Sequence, residues 1–150
     1  MSEFDYEPSM HVPFRDRAAI ARCRAIKRSE IERHASADFR IRVVPDEELT
    51  FLWLGDMYAR LKASAEAGRP CVMLLPNPWP GYRHLARWIN RTRLSCRHAW
   101  FFAMDEYADQ DGRVAPPDWP RGFTYALLRF FWNEIDADLR PPREQVQLVL

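Results

Sequence analysis

Two adjacent carboxylates follow a hydrophobic run near the middle of the chain. Asp105 and Glu106 come directly after residues 99–104. Ligands of open parallel sheets bind beyond the carboxyl ends of the strands, so these carboxylates stand where a substrate would lie. A carboxylate partly desolvated there has a raised pKa and can act as a general base near neutral pH. Successive extended residues point to opposite sides, so one of the two is expected to face the site. The alternative is that Asp105 caps the next turn.

A second candidate binding segment follows another apolar run. Residues 71–75 precede a rigid, proline-rich loop, 76–81, whose candidate binding residues are Asn77, Trp79 and Gly81. The Trp79 indole can stack on the face of a sugar or cover the edge of the core, and both alternatives stay open. Residues 108–121 form a longer polar and proline-rich loop, of the kind that often serves as a lid or binding loop.

The elements that must position these loops alternate along the chain. Alternating or continuous apolar runs predict strands, and three- and four-residue spacing of apolar residues predicts helices. Both central strands are continuous apolar runs, which predicts burial on both faces. The predicted strands are 40–44, 71–75, 98–104 and 145–150, and the predicted helices are 14–34, 46–67, 82–93 and 122–133.

Two helices carry predicted core stripes, and one of them also has capping signals at both ends. Asp46 can cap the second helix, and Gly68 suits the position just after its end. The residues expected to face the core are Leu49, Leu52, Trp53, Met57, Leu61, Leu85, Trp88 and Ile89. The alternation predicts an α/β fold with an open, mainly parallel sheet and flanking helices, Rossmann-like and three-layered, that breaks off after the fourth strand. We expect an N-terminal arm and basic helix in residues 1–40 and the α/β domain in 41–150.

Composition excludes several classes of protein. The 150 residues carry a net charge of +1 and are 47% hydrophobic, which excludes a disordered chain and a globally basic nucleic-acid binder. Three scattered cysteines form no zinc motif or CxxC pair. The longest apolar runs, six and five residues, cannot span a bilayer, which needs about 20. No secretory signal is visible, so we expect a cytoplasmic protein without membrane or nucleic-acid partners.

One local charge excess leaves two interpretations. Residues 14–34 hold seven basic and three acidic residues. A solvated helix is the favoured interpretation, because no aromatic residues interleave the arginines. The alternative is an anionic or nucleic-acid contact.

The residues around the carboxylates resemble a known family. Phe-Phe-Ala-Met-Asp-Glu-Tyr, residues 101–107, resembles the strand-end FxMDEY motif of the glucosamine-6-phosphate deaminase/isomerase family. The Leu-Leu-Pro of 74–76, the aromatic helix 123–131 and the pattern of 136–150 are also similar to that family. Related sugar-phosphate lactonases share the fold but usually end this strand in Asp-Glu-Arg. Tyr107 therefore favours the isomerase/deaminase branch.

The resemblance implies specific roles. Asp105 would transfer a proton at sugar carbon 2 as an amino-sugar phosphate becomes a keto-sugar phosphate and ammonia leaves. Glu106 is assigned with it as catalytic, in a supporting role, and Tyr107 is assigned to substrate binding. The implied partner is a small-molecule sugar phosphate, and neither a cofactor nor a metal is implied.

The chain departs from the family pattern in two places. The family's phosphate-binding loop is glycine-rich, whereas prolines 78 and 80 here have no N–H to offer an anion. Phosphate binding is therefore expected to be weaker, or to depend on Asn77, Gly81 and side chains such as Arg83. The family's catalytic histidine lies in the second half of the fold, and His84 and His98 do not match it and are expected to be structural.

These departures set the remaining expectations. We expect the chain to be the N-terminal portion of an isomerase/deaminase, inactive by itself. The alternative is a non-catalytic sugar-phosphate-binding or sensor module on the same fold. An unfinished sheet would expose an edge that favours pairing with a second copy, so a homo-oligomer is also an expectation.

Overall fold

The computed structural model describes residues 16–76 and 79–149. The chain divides into two compact units, Met1–Pro45 and Asp46–Leu150. In the first unit, helix α1 spans Arg17–Ala25, and the Asp16 side chain caps it by accepting the Ala19 N–H at 2.9 Å. Within the two described ranges, no helix has the length and apolar character needed to cross a membrane.

The continuous helix predicted over 14–34 is wrong, because the helix ends at Ala25. Ile26 adopts extended backbone, and a separate 3₁₀ turn follows at Arg28–Glu30. The α1 helix buries none of its residues. Without a packed apolar face, helix propensity alone does not carry a segment of this length through as one helix.

The strand predicted at 40–44 does not form. Residues 40–44 pair with no strand among the described residues, and the Val43 N–H donates to the Glu32 carboxylate at 2.9 Å instead. Alternating apolar residues permit a strand, but a strand also needs a neighbour with free backbone groups. The three strands that pair all lie in the second unit.

The second unit is α/β with a small, open parallel sheet, as predicted. Strands β1 (Cys71–Leu75), β2 (Ala99–Ala103) and β3 (Val146–Gln147) pair in that order, with Cys71 opposite Ala99 and Phe101 opposite Val146. The helices of this unit are α2 (Asp46–Glu66), α3 (Tyr82–Thr92) and α4 (Phe123–Phe130).

The last predicted helix and the last predicted strand are both shorter in the structure than expected. Residues Arg143–Gln145 form a 3₁₀ turn, so the predicted strand 145–150 pairs at Val146–Gln147. Helix α4 ends at Phe130, and Trp132–Glu134 is a separate 3₁₀ turn rather than a continuation. The side chain of Gln145 donates to the carbonyls of Arg97 and Ala99, which fastens the turn to the start of β2.

The core lies between one face of this sheet and the helices. Helix α2 contributes Leu54, Met57 and Leu61 to it, whereas Leu49 and Leu52 are exposed, which corrects the predicted stripe. In α3 the predicted Trp88 is also exposed and stacks on the Tyr58 ring. The buried strand residues are Leu75, Ala99, Phe101, Ala103 and Val146.

The opposite face of the sheet is exposed, so the predicted burial of both strands on two faces is wrong. Val72 and Leu74 of β1 are 66% and 58% exposed, and Trp100 and Phe102 beside them are both 37% exposed. Residues in parallel register point to the same side, so these four side chains form one apolar surface. A continuous apolar run therefore marks the strands correctly without showing that both faces are covered.

Two adjacent phenylalanines in β2 test this one-sided arrangement. Phe101 is fully buried and Phe102 is 37% exposed. We expect Phe101→Ala to lower the free energy of unfolding by about 3–5 kcal/mol. Phe102→Ala should cost less than about 1.5 kcal/mol, because its ring already contacts water. Urea unfolding of both variants measures the difference, and equal losses would contradict an exposed face.

Candidate active site

The two loops predicted to form the site begin at the same edge of the sheet. Leu75 and Ala103 end β1 and β2 opposite each other. The Met104 N–H donates to the Leu75 carbonyl at 3.2 Å, which continues the pairing one residue further. Parallel strands bring their carboxyl ends together, so Pro76 and Asp105 enter their loops side by side.

Asp105 lies at this edge with an exposed side chain. A ligand at the strand ends can therefore reach its carboxylate.

The Glu106 side chain turns to the start of α4. Its carboxylate accepts the backbone N–H groups of Tyr107 at 2.9 Å, Phe123 at 3.0 Å and Thr124 at 2.6 Å. The first N–H groups of a helix have no partner within it, and a carboxylate satisfies them well. These bonds engage both carboxylate oxygens, so Glu106 positions α4. A catalytic part for it stays a prediction.

The pKa of Glu106 reflects two opposing influences. Partial burial is the largest and acts to raise the pKa. The backbone N–H groups of Thr124, Phe123 and Tyr107 stabilise the ionised form, and together they hold the pKa below its ordinary value. Glu106 is therefore an anion at neutral pH and serves as a hydrogen-bond acceptor.

The N–H groups in the first turn of α3 already donate hydrogen bonds to nearby carbonyls. Tyr82 donates to the Trp79 carbonyl and Arg83 to the Pro80 carbonyl, both at 3.2 Å, and His84 donates to the Gly81 carbonyl at 2.9 Å. Anions bind helix N-termini through N–H groups that lack such partners. The proline-rich loop thus closes much of the site where a backbone phosphate cradle would form. Asn77, a predicted binding residue of this loop, lies outside the described residues.

Trp79 packs against the edge of the core. Its indole stacks on Trp53 with ring centres 4.7 Å apart and meets the Tyr82 ring edge-on at 5.4 Å. The Tyr82 hydroxyl donates to the Pro76 carbonyl, and burial raises the Tyr82 pKa to about 12. Of the two alternatives for Trp79, this geometry favours cover for the core, and binding of a sugar stays a prediction.

The packing of Trp79 leaves no room for a side chain at position 81, so this aromatic cluster requires Gly81. A Cβ at Gly81 would lie 2.2 Å from the Trp79 ring. The backbone of Gly81 is in the ordinary right-handed helical region, so the requirement is for space rather than for an unusual dihedral angle.

The segment after Tyr107 is a hairpin, which the sequence did not predict. The Ala115 N–H donates to the Tyr107 carbonyl at 2.8 Å, and Ala108 pairs with Val114 in antiparallel fashion. Its turn places Gly112 at a φ of +78°, the left-handed region that favours glycine. Asp109 and Gly112, spaced between apolar residues, are the sequence signal that marks such a turn.

The remaining candidate residues have structural partners or surface positions. His98 forms a hydrogen bond with the Ser64 hydroxyl at 2.8 Å, and His84 is exposed. Arg83 lies over the Phe130 ring and pairs with Glu134 at 3.6 Å. Among the residues that the structure describes, no cluster of His, Cys, Asp or Glu could hold a metal ion.

Replacement of Glu106 should expose its role as a helix cap. In Glu106→Gln an NH₂ group replaces one acceptor oxygen, and we expect a loss of about 1–3 kcal/mol in unfolding free energy near neutral pH. Because the folded pKa is depressed, the stabilisation is present above the unfolded pKa of about 4.3 and is lost as pH falls through the folded value. Urea unfolding between about pH 7 and pH 3 measures this.

The control for this prediction is Glu144→Gln, which changes an exposed carboxylate away from the cap. It should alter the unfolding free energy by no more than about 0.5 kcal/mol. A Glu106→Gln deficit that stays constant down to the lowest pH would show that the ionised carboxylate is not what stabilises α4.

Two glycine substitutions separate steric from conformational effects. Gly81→Ala places a methyl group 2.2 Å from the Trp79 ring, closer than carbon atoms can pack, and should destabilise the protein by about 1–3 kcal/mol. Gly55→Ala, inside α2 with nothing within 4 Å of its new Cβ, should stabilise it by up to about 1 kcal/mol. Thermal unfolding of the two variants gives the signs, and a higher Tm for Gly81→Ala would refute the close packing.

Comparison with known proteins supports the fold assignment. No family model matches the chain, and no curated protein matches its sequence. The solved structure of a monomeric glucosamine-6-phosphate deaminase, described as a missing link of the NagB superfamily, matches 72% of this chain with a TM-score of 0.56 and 20% identity. This chain spans 41% of that protein's length. Over the matched share, this chain therefore has the fold of part of a glucosamine-6-phosphate deaminase.

Proposed function

We propose that the chain binds an amino-sugar phosphate at the carboxyl edge of its sheet. We further propose that it takes part in a glucosamine-6-phosphate deaminase/isomerase-like reaction. The observation that carries the proposal is the position of Asp105. It follows β2 directly, at the edge where β1 also ends, and its side chain is exposed to a ligand. The fold shared with a glucosamine-6-phosphate deaminase supports the same substrate class.

The proposed chemistry needs one carboxylate that gives and takes a proton. Asp105 would remove the proton from carbon 2 of the open-chain amino sugar and return it to carbon 1. As this proton moves, the carbonyl oxygen at carbon 1 gains a proton and the amine loses one, so the aldose becomes a ketose imine. Water then hydrolyses the imine to the ketose and ammonia. Glu106 would assist by fixing the backbone that carries Asp105, since its own oxygens hold the start of α4.

The second candidate function is a non-catalytic sugar-phosphate sensor. It is favoured by the first turn of α3, whose N–H groups bond to the carbonyls of Trp79, Pro80 and Gly81. Binding can tolerate a weaker phosphate contact, whereas catalysis depends on precise placement of the reacting carbon. Both candidates use the same edge of the sheet and the same class of ligand.

The Asp105→Asn variant distinguishes the two candidates. Ammonia release from glucosamine-6-phosphate measures turnover of the full chain, and the rise of Tm with the same ligand measures binding. For an enzyme we expect Asp105→Asn to reduce turnover by at least about 100-fold while the Tm rise remains. Asp118→Asn, an exposed carboxylate in the following loop, should leave turnover unchanged.

Three other results would change the conclusion. Undiminished turnover in Asp105→Asn would contradict its role as the base. A Tm rise without turnover in the unmodified chain would overturn turnover by this chain alone, and it would fit both the sensor and an inactive N-terminal portion of an enzyme. The absence of both turnover and a Tm rise would contradict the sugar-phosphate proposal altogether.

A further inference from the structure

A pocket lies within the hairpin segment that follows the candidate base. It has a volume of about 410 Å³, within the usual range for small-molecule sites. Its lining includes Tyr107, Asp109, Arg113, Val114, Pro116 and Trp119. These residues define the hairpin pocket. Tyr107 comes two residues after Asp105, a separation of about 7 Å along extended backbone.

The hairpin pocket is shaped before any ligand arrives. The Asp109 N–H donates to the Arg113 carbonyl, and one Asp109 carboxylate oxygen accepts the N–H groups of Asp111 and Arg113, each at 2.9 Å. These bonds close the turn of the hairpin with its own groups. A site preformed in this way loses less conformational entropy when a ligand binds.

Two aromatic rings form one side of the hairpin pocket. Tyr107 and Trp119 meet edge-on, with ring centres 5.8 Å apart and planes at 88°. Tyr107 is held from behind by Phe123, the first residue of α4. The rings remain 49% and 38% exposed, so a ligand can contact them. Apolar ring faces of this kind suit the C–H faces of a sugar.

Arg113 supplies positive charge to the hairpin pocket. Across the part of the chain that the structure describes, the Arg113 guanidinium makes no hydrogen bond or ion pair. Guanidinium groups bind phosphate oxygens in pairs, through two parallel N–H bonds. The second oxygen of Asp109 is left for sugar hydroxyl groups, because the turn uses the first.

The start of α3, where a phosphate could accept backbone hydrogen bonds, has few free N–H groups among the described residues. The first-turn N–H groups of α3 bond to loop carbonyls, and the nearby Arg83 pairs with Glu134. A phosphorylated ligand at this edge of the sheet thus needs another cation. Arg113 is exposed, unpaired among the described residues, and in a cavity with aromatic walls.

We infer that the hairpin pocket binds the phosphorylated end of the sugar, with Arg113 contacting the phosphate and Tyr107 and Trp119 contacting the ring. This inference rests on the proposed function, because it names where the same ligand is held. It moves phosphate recognition from the helix N-terminus to a side chain of the hairpin.

Calorimetric titration of the full chain with three probes tests the inference. The probes are glucosamine-6-phosphate, glucosamine and inorganic phosphate. We expect Arg113→Gln to weaken binding of glucosamine-6-phosphate by about tenfold or more and to leave the weaker binding of glucosamine unchanged. Trp119→Ala should weaken binding of both sugars. Arg121→Gln is the matched control, because Arg121 is exposed in the same segment and does not line the pocket.

The outcomes separate this inference from the proposed function. If glucosamine-6-phosphate binds and Arg113→Gln behaves like Arg121→Gln, the hairpin pocket is overturned and the proposed function stands. If only inorganic phosphate binds, and Arg113→Gln abolishes that binding, the anion site stands and the sugar-phosphate function falls. If no probe binds to the unmodified chain, both are overturned. Unchanged Tm values for the two arginine variants establish that they remain folded.

Discussion

The carboxylate of Glu106 is the interaction on which the candidate site depends. Glu106 lies just after β2, and its carboxylate accepts hydrogen bonds from the N–H groups of Phe123 and Thr124. It therefore joins the end of β2 to the start of α4. The hairpin between these points is therefore anchored at both ends. A carboxylate suits this position better than a neutral group, since the start of a helix favours negative charge. This anchor holds the backbone beside Asp105 and Tyr107 to the start of α4.

The described residues of the proline-rich loop make structural contacts where an anion could otherwise bind backbone N–H groups. Its carbonyls satisfy the first N–H groups of α3, and its Trp79 extends the core by stacking on Trp53. Those hydrogen bonds occupy backbone donors that an anion could otherwise use. A phosphate at this edge of the sheet would then depend on side chains, as we propose for Arg113 of the hairpin beyond β2. The loop after β1 thus extends the core, and the ligand contacts are proposed for the hairpin after β2.

Local signals predicted much of this architecture, and long-range contacts account for the rest. Strand β1 was predicted with the bounds observed, because Pro70 and Pro76 enclose a short apolar run. The strand at 40–44 failed because pairing depends on a neighbour that the segment itself does not reveal. The position of Asp105 follows from the end of a strand, whereas the cap made by Glu106 depends on Phe123 and Thr124, far away in sequence. Arg113 and Trp119 went unpredicted because only the folded hairpin brings them to one cavity.

The exposed face of the sheet alters how the stability of this unit responds to temperature and denaturant. Val72 and Leu74, with the two aromatic residues beside them, already contact water in the folded state. Unfolding therefore exposes less new apolar surface than it does in a domain with both sheet faces covered. The heat capacity change and the denaturant m-value both scale with that newly exposed surface. A protein built this way has a flatter stability curve for its size, and its stability varies less with temperature on either side of the maximum.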